Sequence, residues 1–570
     1  VTAAPAESQL LVDAVDSLRG AVAETSLPLP LAGRDQAEEN RIALLRQLDD
    51  YVLPRLRALD APLLAVVGGS TGAGKSTLVN SLVGAQVSRT GVIRPTTTRP
   101  VLVHHPDDAH WFADDRILPG LARVTGAETA EAQPGTVRLV RSTALPPGMA
   151  LLDAPDIDSV VQANRELAGQ LLAAADLWLF VTTAARYADA VPWDLLRTAS
   201  ERGTAVAIIL DRVPPEAVEE IRPHLVSMLR EQGLSTAPVF SIPESTLTTQ
   251  GHLPQEAMAR LKAWLDALAS DTRARSIVVS QTLRGAIASL GDRTSRLAEA
   301  AHEQRTAQDG LRRAIDEEFE RAHREVKDGM TDGTLLRGEV LARWQEFVGT
   351  GEFFRQVETT IGKWRDRLTA AVKGAPAPAA NLGEALQSGV AALVTSHGES
   401  AVHESVRDLR RLPGGEGILG RRADLSTGSP GFRDRVDRLV RDWQGEIFDM
   451  VRSEGGNRRT NARVAAYGVN GIGLFLMLVS FAHTGGLTGA EVGIAGGTSV
   501  LAQRVLEAIF GDQAVREMAA RARKALLARV DDLYAAERAR FQDAITEAGN
   551  LDDAAERLDR AAQAVAEAAR

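Results

Sequence analysis

Gly69-Ser70-Thr71-Gly72-Ala73-Gly74-Lys75-Ser76 satisfies the spacing G-x-x-x-x-G-K-S/T at every defined position. Each residue type has a chemical reason to be there. The three glycines let the backbone turn tightly enough for several N–H groups to face one phosphate chain, and the positive end of a following helix adds to that field. Lys75 is placed to reach the β- and γ-phosphates, and the Ser76 hydroxyl to ligate Mg2+. The pattern predicts a nucleoside triphosphate site lined by Gly69, Ser70, Thr71, Gly72, Ala73, Gly74, Lys75, Ser76 and Thr77, with Mg2+ as cofactor.

Two further elements are needed for such a site to hydrolyse its ligand. One is an acidic residue at a strand end, to hold Mg2+ through water. Asp153 follows the apolar run Met149–Leu152 directly, in Leu151-Leu152-Asp153-Ala154-Pro155-Asp156. The other is a mobile threonine that closes over the γ-phosphate and the metal. Arg94-Pro95-Thr96-Thr97-Thr98-Arg99-Pro100 lies between the glycine-rich loop and the next apolar run, and Thr97 is the central candidate. Lys75 and Thr97 are therefore the catalytic candidates, and Ser76, Thr97 and Asp153 the metal ligands. Arg94, Arg99 and Arg186 are candidate charge stabilisers for phosphoryl transfer. Neighbouring His104 and His105 would point to opposite faces of a strand, so a structural role is expected for them.

These residues need a scaffold that brings them together. Leu63–Val67 is a continuous apolar run that breaks into the glycine-rich loop, and Leu78, Val79, Leu82 and Val83 open an apolar helix behind it. Short apolar runs at 101–103, 149–152, 177–181, 205–210 and 238–241 alternate with helical patterns up to about residue 250. That alternation predicts an α/β fold, a doubly wound and mostly parallel sheet with helices on both faces. The phosphate site is expected beyond the carboxyl ends of the strands.

The rest of the chain reads as helix. Residues 7–25 and 35–60 predict two N-terminal helices, the second interrupted at Pro54. Leu311, Ile315, Phe319, Ala322 and Val326 repeat at helical spacing, as do Leu526, Leu527, Val530, Leu533 and Tyr534. A loop rich in glycine and proline is expected from Leu412 to Gly431. Val464–Ala482 carries no charged residue, and a second apolar segment runs from Val492 to Ala502. Nineteen helical residues would span about 28 Å, close to the hydrocarbon thickness of a bilayer. Arg458, Arg459, Arg463 and Arg504 flank the pair, where they could meet anionic lipid head groups. The organisation expected is N-terminal helices at 1–60 packing on a helical bundle, a P-loop domain at 61–250, a helical stalk at 251–463, a hydrophobic hairpin or paddle at 464–510 and a returning helix at 511–570. A buried helical hairpin within a large helical domain is the other reading of 464–510.

At 570 residues the chain is too long for one core. Its net charge of −10 argues against a general nucleic-acid binder. Without cysteine, disulfides, thiolate metal sites and thiol catalysis are excluded. The first residues show no basic stretch followed by an apolar core, so a cytoplasmic chain is the expectation.

Gly69–Ser76, Arg94–Pro100 and Asp153–Asp156 resemble the first three motifs of the dynamin superfamily of large GTPases, and the whole plan is similar to bacterial dynamin-like proteins. The resemblance implies GTP as substrate and coupling of nucleotide state to membrane binding or remodelling. It further implies self-association through the GTPase domain and stalk, and a place at the inner face of the cell membrane. The chain departs from the family at two motifs. Asp156 stands where the third motif usually ends in glycine. The fourth, usually Asn or Thr, then Lys, any residue and Asp, reads Asp211-Arg212-Val213-Pro214. Asp211 and Arg212 are nucleotide-binding candidates by this alignment, and Arg212 can still cover a base with its aliphatic stem. The aspartate that accepts from guanine N1 and N2 is replaced by Pro214, which leaves both GTP and ATP open. A nucleotide-dependent scaffold with little hydrolysis is the alternative reading. The ATPase subunit of a transport cassette is a weaker one, because Ala154 stands where it would need glutamate.

Overall fold

The computed structural model describes residues 5–89, 99–126, 135–159, 161–331, 378–454, 512–549 and 551–570. These fall into two compact units: 1–27 with 33–303 and 551–570, and 28–32 with 304–550.

The first unit is built on an eight-stranded sheet of order β3-β4-β2-β5-β1-β6-β7-β8. The strands are β1 Leu63–Gly69, β2 Val101–His104, β3 Ala122–Thr125, β4 Thr136–Arg141, β5 Met149–Asp153, β6 Leu177–Thr183, β7 Ala205–Val213 and β8 Val239–Pro243. All pairings are parallel except β2 with β5, so the sheet is mostly parallel and the expected α/β class holds. The central strands are continuous apolar runs because both their faces are covered. Leu63, Ala65 and Val67 of β1 point into one core and Leu64 and Val66 into the other. The first core is closed by α4 (Lys75–Val83), α9 (Gln255–Ser270) and Val279 of α10 (Thr272–Gly329). The second is closed by α6 (Gln162–Ala173), α7 (Ala190–Glu201) and α8 (Val218–Glu231), together with Phe112 of the short α5 (Ala109–Phe112). The chain passes from β1 to strands on one side, then returns to β6 on the other. The crevice at the end of β1 is therefore the topological switch point where open α/β sheets bind ligands.

Two strands were not expected from sequence. β3 is the edge strand and β4 pairs between it and β2; they carry Arg123, Arg138 and Arg141 among their apolar residues, so neither makes a continuous apolar run.

A third apolar cluster in this unit joins α1 (Pro5–Glu24), α2 (Arg34–Gln47), α3 (Leu53–Arg57), the early part of α10 and α15 (Ala554–Ala568). Val15, Leu18, Leu44, Leu48 and Val52 meet Leu290 and Leu297 of α10 and Leu558 of α15 there. Pro54 does not end the second helix. Residues Leu48–Val52 form a π turn in which the Leu53 N–H reaches back to Leu48 O. That wider turn accommodates the proline, and helix continues to Arg57.

The second unit contains the remainder of α10 and α11 (Pro378–Arg411), α12 (Gly415–Arg421), α13 (Phe432–Glu454) and α14 (Asp512–Glu547). The stripe Leu311, Ile315, Phe319, Ala322 and Val326 is buried throughout. Phe319 stacks near Tyr534 and Phe541 at centroid separations of 6.4 and 6.1 Å. The Tyr534 hydroxyl donates to Val394 O at 2.6 Å, and Trp443 Nε1 donates to Ala522 O at 2.8 Å. The stretch 412–431, expected as loop, contains α12 and a 3-10 turn at Ala423–Ser426, with Ile418 and Leu425 buried. Two buried apolar side chains anchor a segment whose glycine content alone suggested irregular backbone. The expected hairpin at 464–510 lies outside the described residues. Among the described residues no helix is long and apolar enough to cross a membrane.

Candidate functional site

The site is assembled by register. Val67 of β1 pairs with Asp153 of β5, and Gly69 pairs with Val181 of β6. Thr183 of β6 in turn pairs with Asp211 of β7. The carboxyl ends of four parallel strands thus present the glycine-rich loop, Asp153 and the fourth-motif segment on one edge.

Glycine is required twice in the loop. At Gly69 (φ 154°) a Cβ would stand 2.0 Å from Val181 O. At Gly74 the left-handed φ of 95° is the stronger reason, since the atom a Cβ would meet, Asp211 Oδ2 at 2.3 Å, ends a side chain. The loop closes with Ala73 N–H donating to Ser70 O (3.1 Å), and the first turn of α4 begins with Leu78 N–H on Gly74 O (2.8 Å).

Lys75 is 4% exposed. Its Nζ donates to Gly69 O at 2.8 Å, Ser70 O at 3.0 Å and Asp156 Oδ1 at 2.5 Å. Ser76 Oγ donates to Asp153 Oδ2 at 2.7 Å. Asp153 is wholly buried, and its second oxygen, Oδ1, makes no hydrogen bond; Ser70 Oγ and Ser88 Oγ are likewise buried without a partner. Burial pushes the Asp153 carboxyl up, against the bond from Ser76, nearby Ser88 and the charge of Lys75. A buried carboxylate oxygen without a donor, beside a serine hydroxyl, suits a hard cation that takes oxygen ligands, so the residues present fit Mg2+. Among the described residues no group of three or more His, Asp or Glu side chains has the arrangement of a metal site. His104 is buried and packs on Phe112 at 5.2 Å, a structural position.

Thr71 faces a residue that sequence reasoning missed. Its N–H and hydroxyl both donate to Asp158 Oδ1 at 2.6 Å. Arg186 Nη1 donates to Thr71 O at 2.8 Å and lies 3.4 Å from Asp158 Oδ2. Burial would raise the Asp158 carboxyl, but the two Thr71 bonds and the Arg186 charge outweigh it and hold the group below the usual carboxylate range. The signal for Asp158 was present as an alternating Asp156-Ile157-Asp158, in which Ile157 is buried and both acids face away from the core.

Asp211 is buried beneath the loop beside Gly74, its Oδ1 accepting from Arg212 N–H at 2.9 Å. Burial pushes this carboxyl up. Arg212 is exposed and holds a left-handed backbone (φ 53°) at the irregularity that ends β7. Asn80 is a second residue missed from sequence. Its Oδ1 accepts from Val87 and Ser88 N–H and its Nδ2 donates to Ser88 O, each at 2.8 Å. It fixes the chain just before residues 90–98. Thr97, with Arg94, Thr96 and Thr98, lies outside the described residues.

Fold and site define a P-loop domain of the GTPase type. Residues 64–212, about a quarter of the chain, match the Dynamin family. This segment is a dynamin-family domain, as its motifs led us to expect. Two solved chains of an oligomerised bacterial dynamin pair, described as sensing and tethering membranes, are similar to this chain. One is 10% identical, covering all of this chain and 96% of that one with a TM-score of 0.45; the other is 12% identical, covering 96% of each with a TM-score of 0.43. Toc33 from Arabidopsis thaliana, solved with Mg2+ and GMPPNP, is 15% identical over 42% of this chain and 92% of its own, with a TM-score of 0.24. No curated protein matches the sequence.

Proposed function

We propose that the chain is a dynamin-like GTPase that binds GTP with Mg2+ and couples the bound state to association with anionic membranes. The observation that carries this reading is the convergence of Lys75, Ser76 and Asp153 at the switch point of the sheet, with a buried carboxylate oxygen left for a cation.

The roles follow from placement. The loop N–H groups other than those of Thr71 and Ala73, which Asp158 and Ser70 O hold, lie at the positive end of α4 and hold the phosphate oxygens. Lys75 neutralises charge that develops between the β- and γ-phosphates. Ser76 and Asp153 would hold Mg2+, which when bound supplies charge neutralisation across those phosphates. Asp211 supports the loop from beneath, while Arg212 covers the base. Thr97 is the proposed water-positioning residue. Arg186 is engaged with Thr71 and Asp158, so its proposed role is to brace the loop.

The membrane half of the reading rests on the sequence of 464–510. Self-association through the GTPase domain and stalk, and a place at the inner face of the cell membrane, follow from the family. A scaffold with slow turnover is favoured by one specific contact, the Asp156 carboxylate on Lys75.

The test is γ-phosphate release by the full chain with GTP or ATP, with and without anionic liposomes, beside Lys75→Ala. Lipid-stimulated release from GTP that Lys75→Ala abolishes is expected. Binding without release would favour the scaffold. Sedimentation with liposomes should be lost in Leu474→Glu/Leu478→Glu, and its persistence would overturn the paddle.

A further inference from the structure

We propose that Asp156 and Asp158 form an internal substitute for phosphate, so that nucleotide loading is an exchange in which Asp156 leaves Lys75. The proposal rests on the nucleotide-binding reading above and concerns how that same site is controlled.

An ammonium group has three hydrogens to donate. Lys75 Nζ has three acceptors: Gly69 O, Ser70 O and Asp156 Oδ1. The first two belong to the loop itself, so Asp156 is the one charged acceptor. A phosphate oxygen can reach Lys75 only by displacing one of the three, and as an anion it competes directly with the Asp156 carboxylate. Asp158 meanwhile takes the Thr71 N–H and hydroxyl, two donors of the kind the loop offers to an anion. The two carboxylates are carried on one short segment laid across the loop, and between them Ile157 N–H donates to Gly69 O at 3.4 Å.

The two legs are not equally held. Asp158 is backed by Arg186, which also grips Thr71 O. Asp156 has a 12% exposed side chain, and its ion pair is with Lys75. Asp156 is therefore the leg that moves and Asp158 the leg that stays. Glycine at position 156, the usual family residue, could not make this contact. The contact sets a threshold for loading that depends on phosphate and not on the base.

The experiment is equilibrium binding of a fluorescent GTP analogue to the full chain, with unlabelled GTP, ATP and tripolyphosphate as competitors. Asp156→Asn should tighten every competitor by a similar factor, about tenfold or more, as one charge-assisted contact is removed from the competing state. Asp158→Asn should tighten them less. The melting temperature of nucleotide-free Asp156→Asn should fall at the same time. A merely structural aspartate would lower the melting temperature without tightening binding. Should the asparagine variant fail to fold, Asp156→Gly serves with the same expectation. Unchanged or weaker binding by the Asp156 variants, with binding lost in Lys75→Ala, overturns the exchange and leaves the nucleotide site standing. Absence of binding in every variant and in the unaltered chain overturns both.

Discussion

Two buried ion pairs lie at opposite ends of the parallel strands of one sheet, Arg55–Asp176 before the amino ends of β1 and β6 and Lys75–Asp156 beyond the carboxyl ends of β1 and β5. Arg55 grips both oxygens of Asp176 and donates to Ala61 O at 3.0 Å and Pro62 O at 3.2 Å. Asp176 also accepts from Leu64 N–H at 2.8 Å and from the Tyr51 hydroxyl at 3.2 Å. No polar side-chain atom of Arg55, Tyr51 or Asp176 is buried without a partner. The Lys75 pair is a single point contact, and around it Ser70 Oγ, Ser88 Oγ and Asp153 Oδ1 are orphaned. A closed network fixes backbone, whereas an open one retains capacity for a ligand. The same two charge types therefore make a structural lock at one end and line the candidate site at the other.

The comparison can be broken from either end. Arg55→Ala leaves the Asp176 carboxylate buried and unpaired, and should cost about 3–5 kcal/mol of stability. Urea unfolding followed by tryptophan fluorescence would measure this, with nucleotide affinity of the folded protein little changed. Lys75→Ala should act mainly on the ligand, lowering nucleotide affinity by about 100-fold as a charge-assisted contact to phosphate is lost, and should cost less stability than Arg55→Ala because the Asp156 carboxylate it leaves is partly exposed. Equal losses of stability from the two substitutions would show that the ends are not specialised.

Smaller changes sharpen the contrast. Thr282 Oγ1 donates to Asp176 O at 2.9 Å and accepts from Ala205 N–H at 3.0 Å, joining α10 to two strand starts. Thr282→Val should cost about 1–2 kcal/mol by leaving the half-buried Ala205 N–H and the Asp176 carbonyl without this partner, without changing phosphate release. Glu537 in the second unit is another closed node. It accepts from Ser429 N–H (3.0 Å), Arg435 (2.7 Å) and Arg540 (2.8 Å). Burial raises its carboxyl, but the Ser429 and Arg540 contacts prevail and its folded pKa lies below the ordinary 4.5. Its stabilisation is therefore complete well above pH 4.5 and is lost as pH falls through the folded value. The melting-temperature gap between the unaltered chain and Glu537→Gln should be present at pH 7 and narrow on acidification.

Much of the site was legible because its determinants are local. The glycine-rich loop sits in one short stretch, and Asp153 is marked by the apolar run that it ends. The buried stripe from Leu311 to Val326 was equally legible, since helical burial follows a short period. Strands β3 and β4 were not legible, because they mix charged with apolar residues. Nor was the role of Asp158, which depends on a contact with Thr71 from a distant part of the sequence.

By itself the sequence determined the glycine-rich loop, the apolar strands behind it, the helical character of the remainder and the resemblance of residues 64–212 to the Dynamin family. Those follow from residue types at short, fixed spacings. Only the tertiary structure decided which acid meets which cation. Arg55 and Asp176 are 121 residues apart and Lys75 and Asp156 are 81 apart. Such pairings are set by strand order and register, which no local pattern specifies. The sheet brings Asp156 onto Lys75 and Asp211 under Gly74, and so places two departures from the resembled motifs at the candidate site.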